Sequence, residues 1–197
     1  QNIMMAAVKV PGKTTISNAA REPEIVDLGN FLNKMGAKIT GLGSPVIEIE
    51  GVEELHAVEY SIMSDRIEAG TYVIASLITD GELKIENANI EDLGVFKSEL
   101  ESMGVKFERD GNILSVIGKL ENLKPSKVVT MPHPGFPTDM QPQMMLLQAL
   151  VNGSSSMEET VFENRFMHVP EFNRMGADIT IRHGVAHING GLSLTGA

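Results

Sequence analysis

The sequence contains no cysteine. That excludes a disulfide scaffold, thiolate metal sites and any cysteine nucleophile within the chain, and it is compatible with a reducing compartment. Positive charge is scarce as well: 16 Lys and Arg stand against 26 Asp and Glu, a formal charge of −10. Nonspecific binding to nucleic acid or to an anionic membrane needs a neutralising basic surface, so this balance leaves room only for a local anion site. No apolar run approaches the roughly 20 residues of a transmembrane helix, and the start lacks a charged stretch followed by a hydrophobic signal core. Cytoplasmic is the default expectation. Aromatics make up only 5%, yet 42% of residues are hydrophobic and 21% charged, so the 197 residues can bury a core in one or two domains. The opening, Gln1 to Val8, has no initiator methionine and reads as helix interior, which predicts sequence missing at the front.

Comparing the chain with itself sets the architecture. Lys34-Met35-Gly36-Ala37-Lys38, Ser102-Met103-Gly104-Val105-Lys106 and Arg174-Met175-Gly176-Ala177-Asp178 place one dipeptide at spacings of 68 and 72 residues. Each glycine suits a helix C-terminus, where left-handed dihedrals are needed, and strand-forming residues follow. Strand pairs are predicted at Ala37–Thr40 with Val46–Glu50, Val105–Arg109 with Ile113–Ile117, and Ala177–Ile181 with Val185–Asn189. Asp110-Gly111 is a strong two-residue hairpin signal, and His183-Gly184 a looser one. Upstream lie Gly-led strands over Gly12–Asn18, Gly81–Asn87 and Gly153–Phe162, helices over Arg66–Thr79 and Asp139–Asn152, and strands over Ala57–Met63 and Lys127–Met131. The second and third copies therefore read βαβαββ, and the first lacks its first strand. This predicts an α/β fold of repeated βαβαββ units with right-handed crossovers, sheets outside and helices packed inward. The competing reading is coincidental Met-Gly pairs in an ordinary two-domain protein, but the order of elements around them matches too.

Three stretches carry chemistry. Asn18 to Glu24 puts Glu22 and Glu24 around Pro23 at a helix start, where acids commonly favour the dipole. His133 to Gln143 is a stiff strand-to-helix loop in which Thr138 and Gln141 form a capping-box pattern. It fixes Asp139 at a helix opening beyond a strand end, as a cap or as an ionised general base. Glu159 to His168 concentrates Arg165, acids, an Asn and a His: either an anion or sugar site or a surface salt-bridge cluster. His168 has no second ligand candidate at metal-binding spacing, Met144 and Met145 suit core filling, and Gly41-Leu42-Gly43 lacks the third glycine of a dinucleotide loop.

The strings Asn18–Glu24 (NAAREPE), Asp65–Gly70 (DRIEAG), Phe136–Gln141 (FPTDMQ) and Thr160–His168 (TVFENRFMH), in this order on such a repeat, closely resemble the bacterial UDP-N-acetylglucosamine 1-carboxyvinyltransferases, or enolpyruvyl transferases. The likeness runs from Asn2 to Ala197. It implies six βαβαββ units in two inside-out α/β domains with the active site between them. It also implies transfer of the enolpyruvyl group of phosphoenolpyruvate to the 3-hydroxyl of UDP-N-acetylglucosamine, the first committed step of peptidoglycan synthesis. No metal or organic cofactor is implied, and neither nucleic acid nor membrane is an expected partner.

By motif, the resemblance makes Asp139 the base that contacts the sugar 3-hydroxyl and Val161 a sugar-nucleotide contact. Arg165, Glu22 and Glu24 fall in the cleft or its interdomain wall. The family's proton-donating Cys and its phosphate-binding Lys and Arg have no counterpart here, so the chain reads as less than half of the enzyme, inactive alone. Ser64 stands where Pro is common. By the family pattern, residues 1–63 end one domain, and 64–125 and 126–197 are the first two repeats of the other. A transferase acting on shikimate 3-phosphate and a non-catalytic module of the same fold are the alternatives.

Overall fold

Helices and strands alternate along the chain in three runs in the computed structural model, which describes residues 1–196. Ala197, the last residue of the predicted third repeat, lies outside them. The first run is α1 (Asn2–Ala7), β1 (Lys13–Ser17), α2 (Pro23–Lys34), β2 (Lys38–Thr40) and β3 (Val46–Glu50). The second is α3 (Arg66–Ile78), β4 (Leu83–Glu86), α4 (Gly94–Met103), β5 (Lys106–Asp110) and β6 (Ile113–Ile117). The third is β7 (Lys127–Val129), α5 (Gln141–Leu150), β8 (Gly153–Glu158), α6 (Val169–Arg174), β9 (Asp178–Arg182) and β10 (Val185–Gly190). Sheet orders are β1-β3-β2, β4-β6-β5 and β7-β8-β10-β9. The last strand of every run lies in the middle, antiparallel to both neighbours, and β7 adds a parallel strand beside β8.

The Met-Gly stops are the same structure three times. Gly36, Gly104 and Gly176 have φ of +105°, +111° and +106°. Each glycine amide donates to the carbonyl three residues back and the next amide to the carbonyl five residues before it, all at 3.0 Å. This paired bond set closes a helix through a left-handed residue, a conformation that costs a side chain about 1–2 kcal/mol. The Met35, Met103 and Met175 carbonyls then accept from the amides of His56, Lys124 and Thr195 at 2.8, 2.9 and 2.8 Å. The repetition extends to the bonds, which coincidental dipeptides would not produce.

Four expectations are corrected. Ala57–Met63 forms no strand, because the segment is tied to α2 instead. Tyr60 Oη donates to the Asp27 carboxylate at 2.8 Å, the Tyr60 ring stacks 5.1 Å from Phe31, and Lys34 Nζ donates to the Glu59 carbonyl at 2.6 Å. The second hairpin loop is Gly111-Asn112, one residue later than predicted, since Asp110 pairs with Ile113. The looser signal, His183-Gly184, is a two-residue loop with both φ positive, at +50° and +79°, as a type I′ turn requires. In the third run, β8 stops at Glu158 rather than Phe162, and α5 begins at Gln141 after a 3-10 turn over Thr138–Met140.

The chain divides into two compact units, Gln1–Met63 and Ser64–Ala197. The first closes around Met4, Ile25, Leu32, Ile39, Ile47 and Ile49; the second around Phe96, Leu100, Met103, Phe136 and α5. Met144 and Met145 are fully buried core residues, as expected. Each such side chain contributes about 1.5–3 kcal/mol by leaving water. Within the second unit α3 packs on α5, and Gly70 of the DRIEAG string lets the turn ahead of α5 come close: a Cβ there would lie 2.9 Å from Leu93 Cδ1 and 3.0 Å from Met140 Cε.

Candidate active site

In the second unit, the loop from β7 to α5 is pinned at both ends. The Thr130 and Phe136 backbones bridge, Met131 N donates to Phe136 O at 3.0 Å, and the Phe136 ring is buried 5.9 Å from Phe96. Facing it, the chain leaving β8 docks through Thr160, whose amide donates to Thr130 Oγ1 at 3.0 Å and whose hydroxyl donates to the Thr130 carbonyl. Two loops predicted separately are thereby laid side by side, and Asp139, Val161 and Arg165 come together.

The expected capping box does not form. Neither Thr138 nor Gln141 caps α5, and Asp139 makes no cap bond either. Instead Thr138 Oγ1 and Gln141 Nε2 both donate to Glu159 Oε2, at 2.9 and 2.8 Å, while the Val161 and Phe162 amides donate to Glu159 Oε1 at 2.9 and 3.0 Å. Burial raises the Glu159 pKa, but the amides of Phe162 and Val161 and the hydroxyls of Thr138 and Thr130 outweigh that and hold it below the ordinary glutamate range. Glu159 was missed as a site residue. The signal available was an acid at a strand end beside the Arg165 loop, but its partners on the other loop, Gln141 and Thr138, lie 18 and 21 residues away, beyond the reach of spacing arguments.

Asp139 is left to face outward. Arg165 Nη2 donates to its Oδ1 at 2.8 Å, with the two side chains 30% and 58% exposed for Arg165 and Asp139, and the guanidinium lies 5.0 Å over the Phe162 ring. Beside this pair opens a cleft of about 830 Å³ lined by Glu159, Val161, Phe162, Arg165, Met167 and Ile181. A cation, an exposed carboxylate and apolar walls can hold an anionic ligand with a ring and accept a proton from it. His168 sits below the loop: its ring lies 5.1 Å from Phe172, its Nε2 is 3.3 Å from Met145 Sδ, and burial, with Arg165, lowers its pKa. Among the described residues no three His, Cys, Asp or Glu cluster to hold a metal.

Glu22 and Glu24 belong to the first unit. Glu22 is the N-cap residue of α2, with Pro23 in the first turn, but its side chain makes no cap bond. Its Oε2 is buried with no hydrogen-bond partner among the described residues, against a pocket of about 560 Å³ lined by Met4, Ile16, Ala19, Glu24 and Ile25. Side-chain capping thus fails as the explanation for Glu22, while Glu24 stands in the first turn, where the dipole favours an acid.

The profile of the EPSP synthase (3-phosphoshikimate 1-carboxyvinyltransferase) family matches residues 1–197. Among curated relatives, the chain is 50% identical over all 197 residues to a UDP-N-acetylglucosamine 1-carboxyvinyltransferase of Sorangium cellulosum and covers 47% of that protein. It is 53% identical over the same length to UDP-N-acetylglucosamine 1-carboxyvinyltransferase 1 of Halalkalibacterium halodurans, covering 44% of it. The chain therefore spans less than half the length of the curated relatives it matches. Among solved structures, the enolpyruvyl transferase NikO from Streptomyces tendae superposes with a TM-score of 0.85 at 28% identity, over 96% of this chain and 45% of that one. With a profile match over its whole length, the repeated α/β units and these transferase relatives, the chain belongs to the EPSP synthase (3-phosphoshikimate 1-carboxyvinyltransferase) family.

Proposed function

We propose that this chain is a portion of a cytoplasmic UDP-N-acetylglucosamine 1-carboxyvinyltransferase, which moves the enolpyruvyl group of phosphoenolpyruvate to the sugar 3-hydroxyl in peptidoglycan synthesis. The observation that carries the reading is Asp139: a carboxylate at a helix opening that caps nothing, faces outward and is held beside a cation. In the addition step the hydroxyl oxygen bonds the alkene carbon that bears the phosphate, and its proton passes to Asp139 while a separate acid protonates the methylene carbon. Elimination then removes a proton from that carbon and expels phosphate. The separate acid and the cations that grip phosphate come from outside these 197 residues. Arg165 occupies Oδ1 of Asp139, leaving Oδ2 for the hydroxyl. Val161 contacts the sugar nucleotide, Arg165 steadies its negative charge, and Glu22 and Glu24 are substrate-side residues of the complete enzyme. On this reading residues 1–63 end one domain and 64–197 are the first two repeats of the next.

The shikimate-type alternative has the family's name in its favour. Identities of 50–53% to sugar-nucleotide enzymes, together with the AREPE and FENRFMH strings, favour the UDP-sugar. The complete enzyme should release phosphate from phosphoenolpyruvate with UDP-N-acetylglucosamine and not with shikimate 3-phosphate, and the 197-residue chain alone should release none. Release with shikimate 3-phosphate instead would overturn the substrate, and turnover by the chain alone would overturn the division of labour.

A further inference from the structure

We propose that Glu159 is a positioning residue: a single carboxylate that joins the loop carrying Val161 and Arg165 to the helix opening carrying Asp139. The proposal rests on the enolpyruvyl transferase reading of Asp139. Beyond the docking of Thr160 on Thr130 at the strand ends, two routes connect the Val161–Arg165 loop to the helix opening itself. The outer one is Arg165 on Asp139, solvent-exposed and continued by the guanidinium over Phe162. The inner one is Glu159, with Oε1 on the Val161 and Phe162 amides and Oε2 on Thr138 and Gln141. Gln141 is fully buried, and its Oε1 has no partner among the described residues, so the hydrogen bonding of this side chain is committed to Glu159.

The chemistry needs the inner route. To receive a proton, Asp139 must share its carboxylate with the incoming hydroxyl, which loosens the outer route at the moment of reaction. Thr138 directly precedes Asp139, so the bond from Thr138 to Glu159 holds the Asp139 backbone while its side chain changes partner. Residue type follows from the same geometry. The two amides, Gln141 Nε2 and the hydroxyls of Thr138 and Thr130 can all donate toward Glu159, and an ionised carboxylate accepts from them with the stronger bonds of a charged acceptor. A glutamine keeping its Oε1 on the two amides would turn its NH₂ toward Thr138 and Gln141, which could accept only by rotating the hydroxyl and flipping the amide, and every bond would become a weaker neutral one. The reacting groups would then be free to drift by about an ångström, an error that costs on the order of 10²-fold in rate.

Glu159→Gln and Thr138→Val in the complete enzyme, with Asp139→Asn as the reference, test the assignment. Glu159→Gln should lower kcat about 10²-fold and raise the UDP-sugar KM several-fold, measured well below its unfolding midpoint. Thr138→Val, which removes only the bond nearest Asp139, should lower kcat with the sugar KM nearly unchanged. Amide exchange at Val161 and Phe162 should quicken about fivefold to tenfold in Glu159→Gln, where a neutral acceptor replaces a charged one at each. A lowered midpoint with kcat and KM within threefold of wild type would make Glu159 a structural residue and overturn the proposal, as would unchanged exchange at both amides. If Asp139→Asn keeps full turnover, it is the reading of Asp139 that has failed, and the exchange rates and sugar KM still decide on Glu159.

Discussion

Two aspartates open the first helices of consecutive repeats, and the structure treats them differently. Asp65, at the opening of α3, turns inward along its own helix, and its Oδ1 accepts from the Ile67 and Glu68 amides at 2.8 and 3.0 Å. Asp139, ahead of α5, bonds none of its helix's amides and reaches instead to Arg165. The helix-end amides are satisfied by Asp65 in one repeat and left to the 3-10 turn in the other, where Met140 N donates to the Pro137 carbonyl. Freed from capping, the Asp139 carboxylate is available to a ligand. A helix-opening aspartate alone does not indicate function; one that declines its local partners is the better candidate.

The largest test of this contrast is one substitution made twice in the complete enzyme. Asp139→Asn keeps the size and an acceptor oxygen but cannot take the hydroxyl proton, so turnover should fall about 10²–10⁴-fold with sugar-nucleotide affinity changed much less. Asp65→Asn should leave turnover intact, because asparagine caps a helix as well as aspartate does. Steady-state kinetics on the pair decide it: equal turnover in both variants would leave Asp139 no part in the chemistry.

Much of this was readable beforehand, and the division has a physical basis. The three Met-Gly stops, the strand pairs behind them and the helix over Arg66–Thr79 are fixed within a few residues by local dihedral and side-chain preferences, so sequence reveals them. Ala57–Met63 was misread because Val58, Tyr60 and Ile62 alternate like a strand, but a strand also needs an edge to pair with, which no local pattern reports. The Thr138–Gln141 pair was read as a capping box because the spacing fits. Glu159, brought in by the parallel pairing of β7 with β8, outcompeted the helix end for both side chains. The individual members of the candidate site could be named from the sequence, but the group that joins them could not.

Stability should divide the two aspartates the opposite way to activity. Asp65→Ala removes the acceptor of two amide bonds and should cost about 1 kcal/mol, within the usual 0.5–2 for a lost cap. Urea denaturation would show this as a lower midpoint with an unchanged slope. A loss near zero would mean that solvent replaces the cap at no cost.

Acid should expose the substitute that the α5 opening uses in place of a cap. Glu159 has a folded-state pKa below its ordinary 4.5. Between the two values the unfolded chain binds more protons, so the contribution of Glu159 is complete above about pH 4.5 and is lost as pH falls through the folded value. His168, half-buried and held below its ordinary 6.5, adds a loss of the same sign that begins higher, as pH falls below 6.5. Glu159→Gln should remove the lower part of this acid dependence and leave the upper. A dependence identical in the variant would show that Glu159 does not titrate differently on folding.

The smallest expected effect is the most discriminating. Asp139→Ala removes an ion pair between partly exposed groups and a carboxylate near a helix N-terminus. Exposed pairs are worth about 0–1 kcal/mol, and a charge near the dipole about 0.3–1 kcal/mol at low salt. Against these stands relief: Asp139 no longer has to be ordered beside Arg165, and ordering a side chain costs entropy of similar size. Arg165 keeps its place over Phe162, so no buried charge is stranded. The net change should therefore be within about 0.5 kcal/mol, smaller than that of Asp65→Ala and smaller still in high salt. The same variant should be among the least active in the complete enzyme. A side chain whose removal hardly moves stability while abolishing turnover is held for the ligand and not for the fold. If Asp139→Ala instead destabilised the protein as much as Asp65→Ala, its carboxylate would be serving the helix after all, and the difference between the two openings would be one of geometry alone.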